Sequence, residues 1–175
     1  MSDIQYNILY FHGLDSSLTL KKRQVMELYG NVTAPTYDYR NPNVLKSIDR
    51  DFKYDENTVL IGSSFGGYLA NFFSSKYDIP CLLFNPALAF RSISDIAGSE
   101  VKLENNITNL SYIVLGKKDT VSHAELNRAF INQYFTGPIE LVIEPNMKHK
   151  VPSVIFQKHV DRFFRQLLFT MLPTE

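Results

Sequence analysis

The chain has 175 residues, of which 45% are hydrophobic and 21% are charged. This length and composition are typical of one globular domain, here residues 1–175, and exclude intrinsic disorder and fibrous repeats. Eighteen basic residues balance eighteen acidic ones, so no charge excess points to a nucleic-acid partner. The single cysteine, Cys81, excludes an internal disulfide framework and a cysteine-rich zinc site.

Neither a membrane span nor a secretory signal is expected. The first ten residues lack a basic start and a long apolar run. No segment approaches the roughly 18 continuous apolar residues that a membrane-spanning helix needs. The apolar segment near the C-terminus contains several charged residues and therefore predicts an amphipathic helix.

Short apolar runs alternate with longer helical patterns along the chain. The strand candidates, in order, are residues 6–11, 31–35, 58–62, 81–85, 112–116 and 139–144. The helix candidates are residues 17–29, 42–52, 64–77, 122–134 and 152–172, and Gly30 is expected to end the first of them. This alternation predicts an α/β fold with about six mostly parallel strands flanked by helices. Residues 88–110, which contain the least periodic stretch, are expected to form a short lid-like excursion.

The segment between the third strand candidate and the third helix candidate has the pattern Gly62-x-Ser64-x-Gly66. This pattern is typical of a nucleophile elbow, a sharp strand-to-helix turn that presents a serine above the sheet. The chain crosses itself closely two residues before and after that serine, where any side chain would collide. Ser63 is the neighbouring hydroxyl, but the glycine spacing selects Ser64 as the candidate nucleophile.

A serine nucleophile needs an adjacent base, usually an imidazole that a carboxylate holds in one tautomer. In chains with this elbow the order is serine, acid, histidine. His149 fits this order and follows the last strand candidate, at the edge of the sheet where ligands bind. His12 precedes the serine, His123 lies at a predicted helix start, and His159 lies within the last helix candidate. His149 is therefore the candidate base.

Asp119 is the candidate acid because it lies just beyond the end of the fifth strand candidate, thirty positions before His149. Both residues are then expected at the same edge of the sheet. Two rivals fit less well, since Glu144 lies in the same connection as His149 and Asp95 lies in the irregular excursion. A capping or turn role for Asp119 is compatible with this assignment.

The first strand candidate ends in a His12-Gly13 turn that should lie at the same edge. Acyl transfer places negative charge on a carbonyl oxygen, and two backbone N–H groups can stabilise it. The expected donors are the N–H groups of Leu14, in this turn, and of Phe65, directly after the serine. His12 is then expected to shape the turn, and Asp15 with the adjacent serines to cap the next helix.

Three segments carry a resemblance to a known family, together with Asp119 and His149: residues 9–17, 61–68 and 84–87. They resemble the α/β-hydrolase superfamily and, within it, the small bacterial YqiA-type esterases. The resemblance covers nearly the whole chain. It implies a compact α/β-hydrolase fold with a six-stranded core and a cytoplasmic serine esterase or thioesterase.

These residues predict a serine hydrolase that cleaves a small-molecule carboxylic ester through an acyl-enzyme intermediate, with no metal or organic cofactor. Two alternatives stay open: an acyl-CoA thioesterase with the same residues, and a hydrolase-fold binding protein with little turnover. Candidates for lining an acyl pocket are Phe90, Ile93 and Ile96, which burial in the core would explain equally well. Four lysines near the predicted edge have the right charge to attract a phosphate-bearing substrate, although loop lysines are usually just solvated: Lys117, Lys118, Lys148 and Lys150.

Overall fold

A parallel sheet of six strands organises the chain, and a computed structural model describes residues 5–89 and 107–170 of it. The strand order is β2-β1-β3-β4-β5-β6, and each neighbouring pair is parallel. The prediction of an α/β fold with about six mostly parallel strands is confirmed. The strands are β1 (Tyr6–Phe11), β2 (Gly30–Thr33), β3 (Thr58–Ser63), β4 (Cys81–Phe84), β5 (Ser111–Gly116) and β6 (Ile139–Glu144).

Helices cover both faces of the sheet, and five of them lie in the described ranges: α1 (Leu20–Glu27), α2 (Val44–Asp51), α3 (Phe65–Tyr77), α4 (Ala124–Tyr134) and α5 (Ser153–Thr170). The buried side chains of α1 and α5 belong to one core, on one face of the sheet. Those of α2, α3 and α4 belong to a second core on the opposite face. The central strands β3, β4 and β5 are buried almost throughout because both of their faces are covered. Within residues 5–89 and 107–170, no helix is long and apolar enough to cross a membrane.

Gly30 does not end the first helix as the sequence predicts. Helix α1 ends at Glu27 with Leu28 as its C-cap, and Gly30 is instead the first residue of β2. A Cβ at Gly30 would lie 2.0 Å from the carbonyl oxygen of Tyr6, its partner in β1. The glycine is therefore required by the close approach of two strands rather than by a helix end.

The carboxyl ends of the parallel strands meet at one edge of the sheet. Paired residues at these ends place the connections after β1, β3, β4, β5 and β6 side by side there. Every candidate catalytic residue lies in one of these connections. The predicted lid-like excursion at 88–110 falls mostly outside the described residues, as do the candidate pocket residues Phe90, Ile93 and Ile96.

Candidate active site

Ser64 lies in the sharp turn between β3 and α3. Its backbone has a φ of 56° and a ψ of −123°, a conformation that non-glycine residues rarely adopt and that costs about 1–3 kcal/mol. A Cβ at Gly62 would lie 2.3 Å from the carbonyl oxygen of Gly66, and a Cβ at Gly66 would lie 2.2 Å from that of His12. Glycine is therefore required at both positions, for the close backbone approach that the spacing predicts.

His149 bridges Ser64 and Asp119. Its Nε2 lies 2.9 Å from the Oγ of Ser64, and its Nδ1 lies 2.8 Å from the Oδ2 of Asp119. With the proton on Nδ1, the ring donates to the carboxylate and leaves Nε2 free to accept the hydroxyl proton of Ser64. The Asp119 side chain is fully buried, whereas the His149 side chain is 30% exposed. The carboxylate is thus shielded from water while the imidazole is open to a ligand.

Backbone donors fix the orientation of the Asp119 carboxylate. Its Oδ1 accepts the N–H group of Val121 at 2.8 Å and that of Ser122 at 2.9 Å. These bonds form the turn that precedes α4 and direct Oδ2 towards His149. The turn role and the contact with the imidazole, which the sequence left as compatible readings of Asp119, use different oxygens of the same carboxylate.

Asn85, directly after β4, joins the segments that carry the base and the acid. It is fully buried and has a φ of 43°. Its Nδ2 donates to the carbonyl oxygens of Lys148 at 2.9 Å and His149 at 3.0 Å, and its Oδ1 accepts the N–H of Gly116 at 2.7 Å. Sequence reasoning missed this residue; the available signal was a polar side chain at the end of an apolar strand.

His12 shapes the turn after β1, as the sequence predicts. Its Nδ1 lies 2.7 Å from the carbonyl oxygen of Gly13, and its Nε2 lies 3.1 Å from the backbone nitrogen of Tyr37. With the proton on Nδ1, the first contact is a donation and the second an acceptance, so both ring nitrogens are engaged. The hydroxyl of Tyr39 also donates to the His12 carbonyl, at 3.0 Å.

The expected capping role of Asp15 is wrong. The N-cap residue of α1 is Thr19, and no side chain makes a capping hydrogen bond there. Asp15 instead accepts two hydrogen bonds from the guanidinium group of Arg40, at 2.6 and 2.7 Å. The contact is bidentate because the two nitrogens of the guanidinium fork match the two carboxylate oxygens. The Asp15 carboxylate is therefore paired with Arg40 and does not cap α1.

The rival residues Glu144 and His159 contact each other instead of the site. The Oε1 of Glu144 lies 2.7 Å from the Nε2 of His159, whose Nδ1 lies 2.9 Å from the hydroxyl of Tyr112. Burial lowers the pKa of His159, and the hydrogen bond from Lys158 lowers the pKa of Glu144. A neutral imidazole therefore donates to an ionised carboxylate. His123 is exposed at the N-cap of α4.

A pocket of about 470 Å³ opens beside Ser64 and His149. Leu14 and Phe65, the predicted oxyanion residues, both line it. Phe65 is the first residue of α3, so its backbone N–H is among those without an acceptor inside the helix. Tyr10 also lines the pocket, and burial raises the pKa of Tyr10 to about 12, which keeps its hydroxyl protonated at neutral pH.

Lysines contribute the formal positive charge of this pocket. Of the four lysines that the sequence placed near the edge, Lys150 lines the pocket, and Lys118 donates to the side chain of Asn146 at 2.9 Å. A second lining lysine, Lys22 of α1, was not predicted, because nothing in the local sequence shows that the start of α1 faces the pocket. In the described part of the chain, no group of three or more His, Cys, Asp or Glu residues is arranged to hold a metal ion.

The sheet order and the serine turn define the α/β-hydrolase fold, and solved structures agree. Est1E from Butyrivibrio proteoclasticus superposes with a TM-score of 0.72 at 16% sequence identity, over 95% of this chain and 90% of that one. Alpha/beta hydrolase domain-containing protein 10 from mouse superposes with a TM-score of 0.71 at 11% identity, over the same shares of the two chains. The esterase Est2 of Thermogutta terrifontis superposes with a TM-score of 0.68 at 17% identity, over 99% of this chain and 87% of that one.

Residues 7–161 match the model of the uncharacterised protein family UPF0227, and the chain belongs to this family. The chain is 24% identical to the UPF0227 protein Ent638_1623 of Enterobacter sp. (strain 638), over 89% of this chain and 95% of that protein. It is 23% identical to the UPF0227 protein YcfP of Escherichia coli O9:H4 (strain HS), over the same shares of the two chains.

Proposed function

We propose that the chain is a serine hydrolase that cleaves a carboxylic ester of a small molecule. The observation that supports this most strongly is the hydrogen-bonded series from the Ser64 hydroxyl through His149 to Asp119, which begins in a strained turn at a pocket. Backbone strain and a nucleophile within reach of an oriented base are features of sites for acyl transfer. The cytoplasmic location that the resemblance implies is part of the same proposal.

The proposed reaction begins when His149 Nε2 takes the hydroxyl proton of Ser64 while Oγ attacks the ester carbonyl. Asp119 stabilises the imidazolium that forms. His149 then gives the proton to the leaving alcohol as the bond between the carbonyl carbon and the alcohol oxygen breaks, which leaves Ser64 acylated. A water molecule, deprotonated by the same imidazole, attacks the acyl-enzyme and releases the carboxylic acid and free Ser64.

The backbone N–H groups of Leu14 and Phe65 are the proposed donors to the oxyanion. Both residues line the pocket on which Ser64 opens. In this proposal the turn after β1 and the start of α3 hold the two N–H groups in place for the oxyanion. Losing one such donor typically costs about 10²–10³ in rate.

Hydrolysis of an acyl-CoA-type thioester is the second candidate function, because the same residues serve when a thiolate leaves in place of an alcohol. A hydrolase-fold binding protein with little turnover is the third. The complete serine, histidine and aspartate set is an argument for turnover. A series of short- and long-chain 4-nitrophenyl esters, assayed beside acyl-CoAs, distinguishes the first two functions.

A fluorophosphonate probe tests the proposed nucleophile directly. The native protein is expected to be labelled at Ser64, and Ser64→Ala to be unlabelled with ester hydrolysis lowered by about 10³-fold or more. Ser63→Ala is the matched control, since Ser63 is the adjacent hydroxyl in the same pocket, and it should remain labelled. Absence of labelling in the native protein, or equal labelling of Ser64→Ala, would overturn the proposal. His149→Ala with wild-type rates would remove that histidine from the mechanism.

A further inference from the structure

Two lysines line the pocket beside Ser64, and within the described part of the chain neither has an acidic partner. Lys22 is the third residue of α1, and Lys150 directly follows His149. Among residues 5–89 and 107–170, no carboxylate forms an ion pair with either lysine, and no Asp or Glu lines the pocket. The formal charge of the described lining is therefore positive, in a chain whose net charge is zero.

Lys22 is a half-buried cation. Its Nζ lies 5.0 Å from the centre of the Phe156 ring, a cation–π contact that favours the charged form, but its other surroundings oppose the charge. Burial lowers the pKa of Lys22, and the positive charge of Lys150 lowers it further, so the two ammonium groups are close enough to repel each other. The first turn of α1 contains no acidic residue, and a cation at a helix start also opposes the helix dipole.

An anion bound between these two lysines would relieve each of these unfavourable terms. It would replace the lost hydration of Lys22, separate two like charges and complement the helix start. Polar donors stand beside the lysines, because the hydroxyl residues Ser16, Ser17 and Thr19 line the same pocket. Carboxylate and phosphate oxygens are suitable acceptors for ammonium and hydroxyl donors.

We propose that the natural substrate carries an anionic group, a carboxylate or a phosphate, which Lys22 and Lys150 bind while Ser64 attacks the carbonyl. This inference rests on the proposed function, because it places the anion and the reacting carbonyl in one pocket. It narrows the substrate class from esters in general to anionic esters or thioesters. It also assigns a binding role to α1, which carries none of the candidate catalytic residues.

Two matched substrate pairs test the inference and separate its two anion sources. The carboxylate pair is the mono-4-nitrophenyl ester of adipic acid against 4-nitrophenyl hexanoate. The phosphate pair is hexanoyl-CoA against hexanoyl-N-acetylcysteamine. The wild-type protein is expected to prefer the anionic member of at least one pair by roughly 10–100-fold in kcat/KM, as for a hydrogen-bonded charged group.

Variants test whether Lys22 and Lys150 cause the preference for the anionic substrate. Lys22→Met and Lys150→Met keep an unbranched side chain that is one atom shorter and remove its charge, and each is expected to lower the anionic-to-neutral ratio of kcat/KM by roughly tenfold. Lys21→Met and Lys148→Met are the matched controls, because these lysines are exposed immediate neighbours on the same two segments. Both controls should keep the wild-type ratio, and high salt should reduce the ratio in the wild type.

Failure of the inference and failure of the proposed function give different results. Efficient Ser64-dependent hydrolysis without preference in either pair, or an equal loss of preference in the control variants, overturns the anion site and leaves the hydrolase. If no substrate is turned over, titration calorimetry with coenzyme A and with monoethyl adipate still tests whether the two lysines bind an anion. Binding that Lys22→Met and Lys150→Met abolish supports the site, and no binding to the wild type overturns it.

Discussion

The side chain of Asn85 holds together two segments of the candidate site that are distant in sequence, one at Gly116 and one at His149. Its amide spans 31 positions along the chain to Gly116 and 64 positions to His149. The three hydrogen bonds of its side chain all go to backbone groups, so the amide positions the backbone and takes no part in the chemistry. The left-handed backbone at Asn85 also suits asparagine better than most residues.

Asn85→Asp is expected to impair the site without removing a reacting group. The aspartate keeps the acceptor for Gly116 and tolerates the backbone angle, but it presents an oxygen to the carbonyl oxygens of Lys148 and His149. The loss of two buried donors should reduce the free energy of unfolding by about 1–3 kcal/mol and kcat by roughly tenfold or more. Urea unfolding and ester kinetics check this. Asn146→Asp is the control, because Asn146 is exposed in the connection between β6 and His149, and it should behave like the wild type.

The residues that sequence reasoning found and those it missed differ in the kind of signal they leave. Ser64 has flanking glycines, and Asp119 and His149 each follow a run of strand residues, so local pattern and chain order are sufficient to nominate them. Asn85 also follows a strand, but a single polar residue there does not show which backbone groups it contacts, and Lys22 has no local pattern. Their roles depend on which elements pack side by side, a property of the folded chain that the local sequence does not encode.

At the scale of elements, the turn between β3 and α3 is tightly constrained by sterics at both of its glycines. Gly62 allows the end of β3 to lie against the first turns of α3, and Gly66 allows α3 to start against the chain that leaves β1. At Gly66 an added Cβ would meet the carbonyl oxygens of both Phe11 and His12, at 2.3 and 2.2 Å. Neither obstacle is the movable end of a side chain.

Gly66→Ala is therefore expected to reduce the free energy of unfolding by about 3 kcal/mol or more, or to prevent folding, because backbone must move to admit the methyl group. For a chain of this size such a loss lowers Tm by roughly 6–12 °C. Gly13→Ala is the control, because the nearest atom to its added Cβ would be the Cβ of Ser64 at 3.5 Å, an ordinary contact. Thermal unfolding of both variants checks this, and equal melting temperatures would contradict it.

The elements themselves were largely predictable, and the exceptions have local causes. The predicted strand 139–144 matches β6, and 6–11 matches β1. Both segments are rich in β-branched and aromatic residues, and Pro138 and Pro145 bound β6. The first helix was predicted over 17–29 and spans Leu20–Glu27. Its predicted first residue, Ser17, instead lines the pocket, and its predicted end gives way to strand pairing at Gly30. The helical spacing of apolar residues does not predict that Ser17 lines the pocket or that Gly30 pairs with β1.

For the whole molecule, the cluster of the partly buried Glu144 with the buried His159 and Tyr112 couples stability to pH. It joins β5 and β6 to α5, and Lys158 and Arg162 are the other charged groups that act on the His159 imidazole. The pKa of His159 is lowered by burial, so below the unfolded value of about 6.5 the unfolded chain binds more protons than the folded one. Stability should therefore fall as the pH falls from about 6.5.

His159→Gln is expected to be less stable than the wild type at pH 7 but to lose less free energy of unfolding between pH 7 and pH 5, because the titrating group is gone. The slope that one proton contributes is at most about 1.4 kcal/mol per pH unit. Urea unfolding across this range measures it. His123→Gln, at an exposed histidine, should keep the wild-type slope, and identical slopes for all three proteins would contradict the assignment.

The Ser64–His149 contact joins residues 85 positions apart, across a sheet in which β4 and β5 lie between β3 and β6. Closing so long a loop costs conformational entropy that only the finished sheet compensates, so we expect this contact to form late in folding. A chain diluted out of denaturant would hold its proposed nucleophile in the elbow before the base arrives with the β6–α5 connection. The rate at which Ser64 becomes reactive to fluorophosphonate would then measure how fast the connection between β6 and α5 reaches its final position.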